Sequence, residues 1–274
     1  MIHAIVTGCS GRMGSSILRF VRDDEEVELV GATDRVGAPS IGLDAGLMAR
    51  LGPLEVEVCD ALERSLTQAK AKAQVVIDFT SAEASVAHAR LCAEHGVALV
   101  VGSTGFSEAD RAAVAQVAAR VPVVMAPNMS VGVTLMLKLA AEAARILGPS
   151  FEAEIMELHH RLKKDAPSGT ALRLAEVVAE SLDRQGTRPA LRTAREGNVG
   201  ERTDAEIGVL ALRGGDVVGE HTVFFLGDGE RLELTHRATS RDTFASGAVR
   251  AARWVVGRPP GLYDMLDVLG LSRA

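Results

Sequence analysis

Residues 2–14 read IHAIVTGCSGRMG, and this stretch decides the fold. An apolar run ends at Thr7, and glycines follow at positions 8, 11 and 14 before a helical pattern that continues through Phe20. This order predicts a strand that passes through a tight turn directly into a helix. The N–H groups at such a helix start attract anions. For the glycines alone an ordinary tight turn remains an alternative, because Ser10 replaces the middle glycine of the usual G-x-G-x-x-G motif.

Strand and helix patterns alternate as far as Asn128. We predict strands at 27–33, 75–79, 97–101 and 121–126, helices at 82–94 and 107–119, and a glycine-rich loop at 37–53. This alternation is typical of a parallel sheet with helices on both faces. The first half of the chain is therefore predicted to be an α/β, Rossmann-like doubly wound parallel sheet.

The pattern changes after Asn128. We predict helices at 131–147, 169–184 and 243–256, strands at 151–158, 204–212, 217–226 and 230–238, and a short last helix carrying Leu262, Met265 and Leu269. Gly-Gly-Asp and Gly-Asp-Gly turns separate the last three strands, as in antiparallel hairpins. A second α+β domain with a mostly antiparallel open sheet is expected.

Composition excludes several classes of protein. The 274 residues carry a formal net charge of −6 and no basic run, which argues against a nucleic-acid partner. No apolar stretch is long enough to span a membrane, and the N-terminus lacks the features of a signal peptide. The 3 cysteines form no C-x-x-C pair, which suits reduced thiols. A cytoplasmic protein is the expectation.

An acidic residue supports a dinucleotide site at the glycine turn. Asp34 ends the second predicted strand about 20 residues beyond the last glycine, where an acid accepts hydrogen bonds from the ribose of NAD. Arg35, and Arg12 in the turn, could instead meet a 2′-phosphate, so NADH and NADPH both remain open. Two later strand-end loops should lie at the same edge of the sheet. For residues 102–104 an ordinary strand-to-helix turn capped by Ser107 remains an alternative. The predicted cofactor-binding residues are Gly8, Cys9, Ser10, Gly11, Arg12, Met13, Asp34, Arg35, Gly102, Ser103, Thr104, Ala126, Pro127, Asn128 and Met129.

The densest chemistry lies in residues 156–171, MELHHRLKKDAPSGTA. The histidines could be one buried and one solvated residue, the lysines surface charges, and Ser168 a simple helix cap. A metal site is not predicted, because no third ligand has a familiar spacing and the lysines would repel a cation. In the functional interpretation, N–H groups at 168–170 bind a carboxylate, and a nearby histidine and lysine neutralise a second one and supply a proton.

Residues 157–171, ELHHRLKKDAPSGTA, closely resemble the signature of the 4-hydroxy-tetrahydrodipicolinate reductase family, the dihydrodipicolinate reductases of the diaminopimelate route to lysine. The likeness covers nearly the whole chain and includes residues 11–14, 77–80, 102–106, 128–133, 195–197 and 215–222. Ser10 stands where a glycine is common, and Met129 where some members carry phenylalanine. The resemblance implies an oxidoreductase that uses NADH or NADPH to reduce a small cyclic dicarboxylate.

The resemblance also implies roles for individual residues. His159 and Lys163 are the expected proton-handling, catalytic residues. The substrate-binding residues are expected to be His160, Lys163, Ser168, Gly169 and Thr170. Arg241 is a weaker candidate at a cleft between domains.

Domain limits and partners follow from the same resemblance. Residues 1–129 and 241–274 are expected to form the dinucleotide-binding domain, and 130–240 the substrate-binding and oligomerisation domain. A homotetramer formed through the second domain's sheet is expected. Two alternative functions are a related enzyme that reduces another anionic imine or aldehyde, and a nucleotide-sensing regulator without catalysis.

Overall fold

The computed structural model describes residues 1–182 and 189–271. Within them the chain divides into two compact units. Met1–Val131 and Asp242–Gly270 form the first unit, and Gly132–Arg241 forms the body of the second. The chain therefore leaves the first unit once and returns to it.

Strands and helices succeed one another along the chain in the following order. The elements are β1 (Ile2–Thr7), α1 (Arg12–Arg22), β2 (Val27–Thr33), α2 (Ala45–Met48), β3 (Val58–Cys59), α3 (Leu62–Gln68), β4 (Val75–Asp78), α4 (Ala82–His95), β5 (Ala98–Val101), α5 (Glu108–Ala118), β6 (Pro122–Met125), α6 (Val131–Leu147), β7 (Glu152–His159), α7 (Gly169–Leu182), β8 (Ala190–Arg192), β9 (Glu206–Arg213), β10 (Gly219–Gly227), β11 (Glu230–Ala238), α8 (Asp242–Val255), β12 (Gly261–Tyr263) and α9 (Met265–Leu269). The last two residues of the helix predicted at 169–184 lie outside the described residues.

The first unit is built on a parallel sheet with the strand order β12-β6-β5-β4-β1-β2-β3. Neighbouring strand residues such as Ile5 and Val6 are both fully buried, because helices cover both faces. One face packs against α1 and α8, and the other against α4 and α5. The predicted Rossmann-like sheet is confirmed. Its strand order reverses between β1 and β4, where doubly wound sheets bind ligands.

Two local predictions for this unit are wrong. Residues 37–53 are not wholly loop, because Asp44 caps α2 by accepting hydrogen bonds from Gly46 N and Leu47 N and also accepts from Leu54 N. Leu262 does not belong to the last helix. It pairs in strand β12 with β6, and α9 begins only after the N-cap residue Asp264.

The second unit packs α6 and α7 against a five-stranded sheet of order β11-β10-β7-β9-β8. Its core contains Ile155, Leu174, Val209 and Phe225. The sheet is mixed: β10 pairs antiparallel with β7 and β11, whereas β9 runs parallel to β7 and β8. Parallel pairing of β7 and β9 follows from the crossover through α7. Among the described residues, no helix is long and apolar enough to cross a membrane.

Candidate active site

The turn after β1 leaves space that only glycine permits. Gly8 has a φ of 60°, and Gly11 N donates to Gly8 O at 3.0 Å. A Cβ at Gly14 would overlap the backbone of Gly8 and Cys9. Helix α1 then begins at Arg12 with no side-chain cap and no acidic residue in its first turn. The first N–H groups of α1 therefore form a positively polarised cradle.

Asp34 is held against this turn. Its carboxylate accepts hydrogen bonds from Ser10 N at 3.3 Å, Ser40 Oγ at 2.8 Å and Arg35 N at 2.8 Å. Partial burial raises the pKa of Asp34, but these hydrogen bonds outweigh burial and hold the pKa below its usual value. The Asp34 carboxylate is therefore charged beside the turn. The side chains of Arg12, in the turn, and of Arg35, which follows Asp34, are both exposed.

Three of the predicted cofactor residues offer little of their side chains. Cys9 is fully buried, and burial, reinforced by the charge of Asp34, raises the pKa of its thiol to about 12. Met129 is 1% exposed and belongs to the core of the first unit. The partly buried Met13 packs against the same core. Contacts of Cys9 and Met129 with a ligand would therefore involve their backbone.

The two later loops lie at the same edge of the parallel sheet. Gly102 N donates to Asp78 O at 2.9 Å, and Ala126 N donates to Val101 O at 3.1 Å. Ser103 is buried with its hydroxyl 2.9 Å from Ser85 Oγ. Thr104 and Pro127 are exposed, and Asn128 is half-buried, with its side-chain oxygen accepting from Ser130 N. These loops place backbone groups at the same edge of the sheet as the glycine turn.

A buried acid next to the turn, within the stretch 77–80 that resembles the family, was not predicted as a site residue. Asp78 ends β4, opposite Thr7, and is fully buried. It accepts hydrogen bonds from Thr80 N at 2.9 Å and Thr80 Oγ1 at 2.6 Å, and lies 2.8 Å from His88 Nδ1. Burial raises its pKa, but His88 and Thr80 overcome this and lower it. The signal in the sequence was an acid at the end of an apolar strand.

In the second unit, the buried carboxylate of Glu157 hydrogen-bonds to two of the predicted active-site residues, His159 and Ser168. Glu157 and His159 lie on the same face of β7, and Nδ1 of His159 hydrogen-bonds to Glu157 Oε2. Ser168 N donates to Glu157 Oε1 at 3.1 Å. Arg213 donates from Nη1 and Nη2 to the two carboxylate oxygens at 2.9 and 3.0 Å. Glu157 therefore joins the histidine to the start of α7.

His159 is enclosed on several sides. Burial lowers the pKa of its imidazole below the ordinary value, Lys163 and Arg213 add to this, and Glu157 opposes it only in part. The ring of His221 meets it edge to face, with 5.2 Å between centroids. A Cβ at Gly219 would lie 3.0 Å from His159 Nε2, so this glycine leaves space for the ring. Among the described residues, none hydrogen-bonds to that nitrogen.

His221 is a second residue that sequence reasoning missed. Its Nε2 lies 3.1 Å from Ser168 Oγ, and its buried Nδ1 has no hydrogen-bond partner among the described residues. Burial, and then the neighbouring His159, lower its pKa to about 4. His221 is therefore neutral near pH 7 and packs beside His159 without competing for a proton.

The remaining predicted substrate residues surround the start of α7. Ser168 caps the helix, because its Oγ accepts from Ala171 N at 3.2 Å. A Cβ at Gly169 would meet nothing within 4 Å, and Thr170 follows it in the first turn. His160 keeps a buried, unpaired Nδ1 among the described residues.

The other predicted residues are placed as follows. Lys163 Nζ forms an ion pair with Asp165 at 2.7 Å. Arg213 Nη2 donates to Asp165 O at 2.6 Å, which links this segment to Glu157. Arg241 is exposed at the end of the second unit. Among the described residues, no group of three or more His, Cys, Asp or Glu side chains could hold a metal ion.

Comparison with known families covers both units. The family described as "Dihydrodipicolinate reductase, N-terminus" matches residues 2–129, and "Dihydrodipicolinate reductase, C-terminus" matches residues 132–269. The chain belongs to the dihydrodipicolinate reductase family. The resemblance first seen in residues 157–171 is thereby confirmed.

Similar proteins extend the match to dihydrodipicolinate reductases over the full length. The 4-hydroxy-tetrahydrodipicolinate reductase of Myxococcus xanthus (strain DK1622) is 62% identical, with 100% of this chain and 99% of that protein covered. That of Anaeromyxobacter dehalogenans (strain 2CP-1 / ATCC BAA-258) is 57% identical, with 99% and 98% covered. The dipicolinate-bound dihydrodipicolinate reductase from Paenisporosarcina sp. TG-14 has a TM-score of 0.78 at 29% identity, with 97% and 98% covered.

Proposed function

We propose that this chain reduces 4-hydroxy-tetrahydrodipicolinate, or dihydrodipicolinate, to tetrahydrodipicolinate in the diaminopimelate route to lysine. It is an oxidoreductase that uses a nicotinamide nucleotide. The observation that carries the proposal is the Glu157 carboxylate, which joins His159 to the first turn of α7 in a chain that matches the family from end to end. A nucleotide-sensing regulator would need no such pairing.

The glycine turn fits the nucleotide. Gly14 lets α1 pack directly on the turn, since a Cβ there would overlap the backbone of Gly8 and Cys9; no side chain caps α1, and Asp34 is charged beside the turn. The pyrophosphate would face the start of α1, the ribose Asp34, and the nicotinamide the loops at 102–104 and 126–129. When bound, the nicotinamide supplies the hydride that reduces ring C4 of the substrate, after the hydroxyl group of the hydroxylated precursor has left as water. Either NADH or NADPH is expected to serve, since Arg35 adjoins Asp34.

The start of α7 would hold a carboxylate of the substrate. Ser168 fixes the first turn, and position 169 is open for an approaching group. The Ser168 N–H already donates to Glu157, so the N–H groups at 169 and 170 and the positive end of a 14-residue helix are the groups that would favour an anion. His160 and Lys163 would neutralise the second carboxylate. Dipicolinate bound to the similar Paenisporosarcina protein is a planar dicarboxylate of this kind.

His159 and Lys163 are the residues that would deliver the proton to the ring carbon next to C4. Burial leaves the His159 imidazole largely neutral before substrate binds, because its pKa lies below the ordinary value. A dicarboxylate brought beside the ring raises that pKa and favours the protonated form. Lys163 would exchange its pairing with Asp165 for the substrate carboxylate. Binding of the substrate would thus favour the protonated His159 that the reduction requires.

The uncovered face of the second sheet supports the proposed homotetramer. Met156, Leu210 and Leu212 are between 38% and 46% exposed. They alternate with Ile155 and Val209, which pack under the helices, so they share the opposite face of the sheet. Exposed apolar side chains grouped in this way are typical of subunit interfaces. A biosynthetic enzyme of this kind is expected in the cytoplasm.

A spectrophotometric assay of NAD(P)H oxidation tests the proposed function. The substrate is generated enzymatically from pyruvate and aspartate semialdehyde, and oxidation should begin only when both are supplied. Oxidation with other anionic imines or aldehydes alone would identify a different reductase. Tight nucleotide binding without oxidation of any substrate would identify a regulator.

A further inference from the structure

Glu157 is a buried charge that, in the proposed reaction, neither contacts the substrate nor transfers the proton. It is fully buried in β7, and its two oxygens accept hydrogen bonds from a backbone N–H, a guanidinium and an imidazole. A buried carboxylate without such partners would be strongly unfavourable. The arrangement therefore depends on all three partners being in place.

Arg213 keeps this carboxylate charged. Burial raises the pKa of Glu157, but the hydrogen bonds from Arg213 and His159 lower it overall. The same guanidinium donates to Asp165 O, which fixes the segment that also carries Lys163. One arginine at the end of β9 thus holds both the buried acid and the loop before α7.

The charged carboxylate decides which nitrogen of His159 carries the hydrogen. An ionised carboxylate can only accept, so Nδ1 must be the donor in this pair. Nε2 is then the nitrogen that can gain or lose a proton. Four groups face this imidazole: Glu157 from its own strand, Lys163 from the loop, Arg213 from β9 and His221 from β10. Of these, only Glu157 hydrogen-bonds to the ring.

Glu157 also fixes the start of the neighbouring helix. Its second oxygen accepts from Ser168 N, the residue whose hydroxyl caps α7. The histidine and the helix start come from segments separated by a loop, yet one side chain sets the distance between them.

We propose that Glu157, held by Arg213, is a positioning residue that presents Nε2 of His159 for proton transfer and sets its distance from the carboxylate-binding turn of α7. This role rests on the proposed function, in which His159 handles a proton and α7 binds a carboxylate. It concerns a residue outside the set that contacts substrate. Glu157 acts entirely through His159 and Ser168.

The test compares Glu157→Gln with Glu154→Gln in the full-length enzyme. Glu154 lies on the same strand and is also paired with arginines, Arg195 and Arg202, but it does not contact His159. We expect Glu157→Gln to lower kcat by about 10²–10³-fold, because an amide can hold the wrong tautomer of the imidazole. Glu154→Gln should stay within about twofold of wild type, and both should bind NADPH normally.

The pH profile of kcat separates positioning from simple packing. Loss of the carboxylate removes the group that favours protonated His159, so the alkaline limb should move to lower pH by about one unit or more in Glu157→Gln. An unshifted limb together with a kcat within about threefold of wild type would overturn the proposal.

A measurement on the wild-type protein does not depend on activity or on the variant's folding. Nitrogen-15 NMR of the labelled histidines should show His159 with its hydrogen on Nδ1 at neutral pH and an unprotonated Nε2. A hydrogen on Nε2 instead would contradict the positioning role, even if the enzyme is active. Absence of substrate reduction with the expected tautomer would contradict the proposed function alone.

Discussion

At the residue scale, two opposing effects act on the pKa of His159. Burial lowers the pKa of its imidazole, while the Glu157 carboxylate raises it. In the proposed reaction, the ring would accept a proton when the anionic substrate arrives and release it to the substrate. A buried histidine without the acid would be only a packing residue.

The first prediction concerns this imidazole. His159→Gln should lower kcat by roughly 10²–10⁴ while nucleotide affinity stays nearly unchanged, because the change removes the proton donor but not the glycine turn. Steady-state kinetics and NADPH titration measure both quantities. A variant with wild-type kcat and only a raised KM would show that His159 binds substrate without handling a proton.

The second prediction concerns Asp34 and Arg35. Activity with NADH and NADPH should agree within about tenfold in kcat/KM, because an acid and a cation adjoin the ribose position. Asp34→Ala should harm both nucleotides, since Asp34 also holds Ser10 and Ser40, but NADH more. Arg35→Ala should harm NADPH more. If neither variant changes the ratio of the two kcat/KM values, these side chains do not contact the ribose.

The site residues predicted from the sequence are those with a local sequence pattern, and residues without such a pattern were not predicted. Asp34 was predictable because it follows a strand at a known distance from the glycines. Arg213 lies 56 residues from Glu157, and His221 lies 53 residues from Ser168. Only the pairing of β9 and β10 with β7 brings these residues together, and no local pattern records that pairing.

At the scale of elements, long helices and strands could be predicted from the sequence, and very short strands could not. The helix predicted at 131–147 is found at Val131–Leu147, because 17 residues show a clear apolar face. Strands β3, β8 and β12 have two or three residues each and leave no periodic signal. The mixed character of the second sheet depends on the crossover through α7, which alternation along single strands does not reveal.

The third prediction concerns the start of α7. Gly169→Val should abolish inhibition by pyridine-2,6-dicarboxylate while NADPH still binds, because the added side chain would block the N–H groups. The fold should survive, since a Cβ at this position has no neighbour within 4 Å. Calorimetry with nucleotide present measures inhibitor affinity, and Gly169→Ala provides the smaller replacement. Tight binding to the valine variant would mean that the carboxylate binds elsewhere.

The fourth prediction concerns the buried acid at the end of β4. Asp78→Asn should lower the free energy of unfolding at pH 7 by about 2–4 kcal/mol, because the amide replaces a charge that pairs with His88. The pKa of Asp78 is lowered in the folded protein. The contribution of its charge to the free energy of unfolding is therefore fully present above the unfolded-state pKa of about 3.9. It is lost as the pH falls through the folded pKa.

Urea unfolding measures this contribution. At pH 7 the midpoint of Asp78→Asn should fall well below that of wild type, and the difference should shrink under acid conditions. Asp23→Asn, at an exposed aspartate, is the matched control. Equal midpoints for Asp78→Asn and wild type at pH 7 would show that the buried pair adds nothing to stability.

At the scale of the whole molecule, the chain separates its tasks into two units. The first contains the glycine turn and the strand-end loops, and the second contains His159 and the start of α7. The family matches divide at nearly the same place, with one ending at residue 129 and the other beginning at 132. In the proposed function, substitutions in the first unit should therefore affect nucleotide binding, and substitutions around His159 should affect proton delivery.

The fifth prediction concerns assembly. Light scattering should give the mass of four chains, and Leu210→Lys should reduce it, because the charge would lie on the uncovered face of the second sheet. Ile146→Lys, at a position 71% exposed on α6, is the control and should leave the mass unchanged. A monomeric wild type, or a Leu210→Lys protein that remains tetrameric, would exclude this face as the interface.

Transfer of a labelled hydride tests the central claim most directly. Reaction with NADPH carrying deuterium at the transferable position, and with substrate formed from pyruvate and aspartate semialdehyde, should give tetrahydrodipicolinate with deuterium at ring C4. Mass spectrometry and NMR of the product locate the label. A product without deuterium, or NADPH oxidation that yields no tetrahydrodipicolinate, would contradict the assignment of this chain as the reductase of that ring.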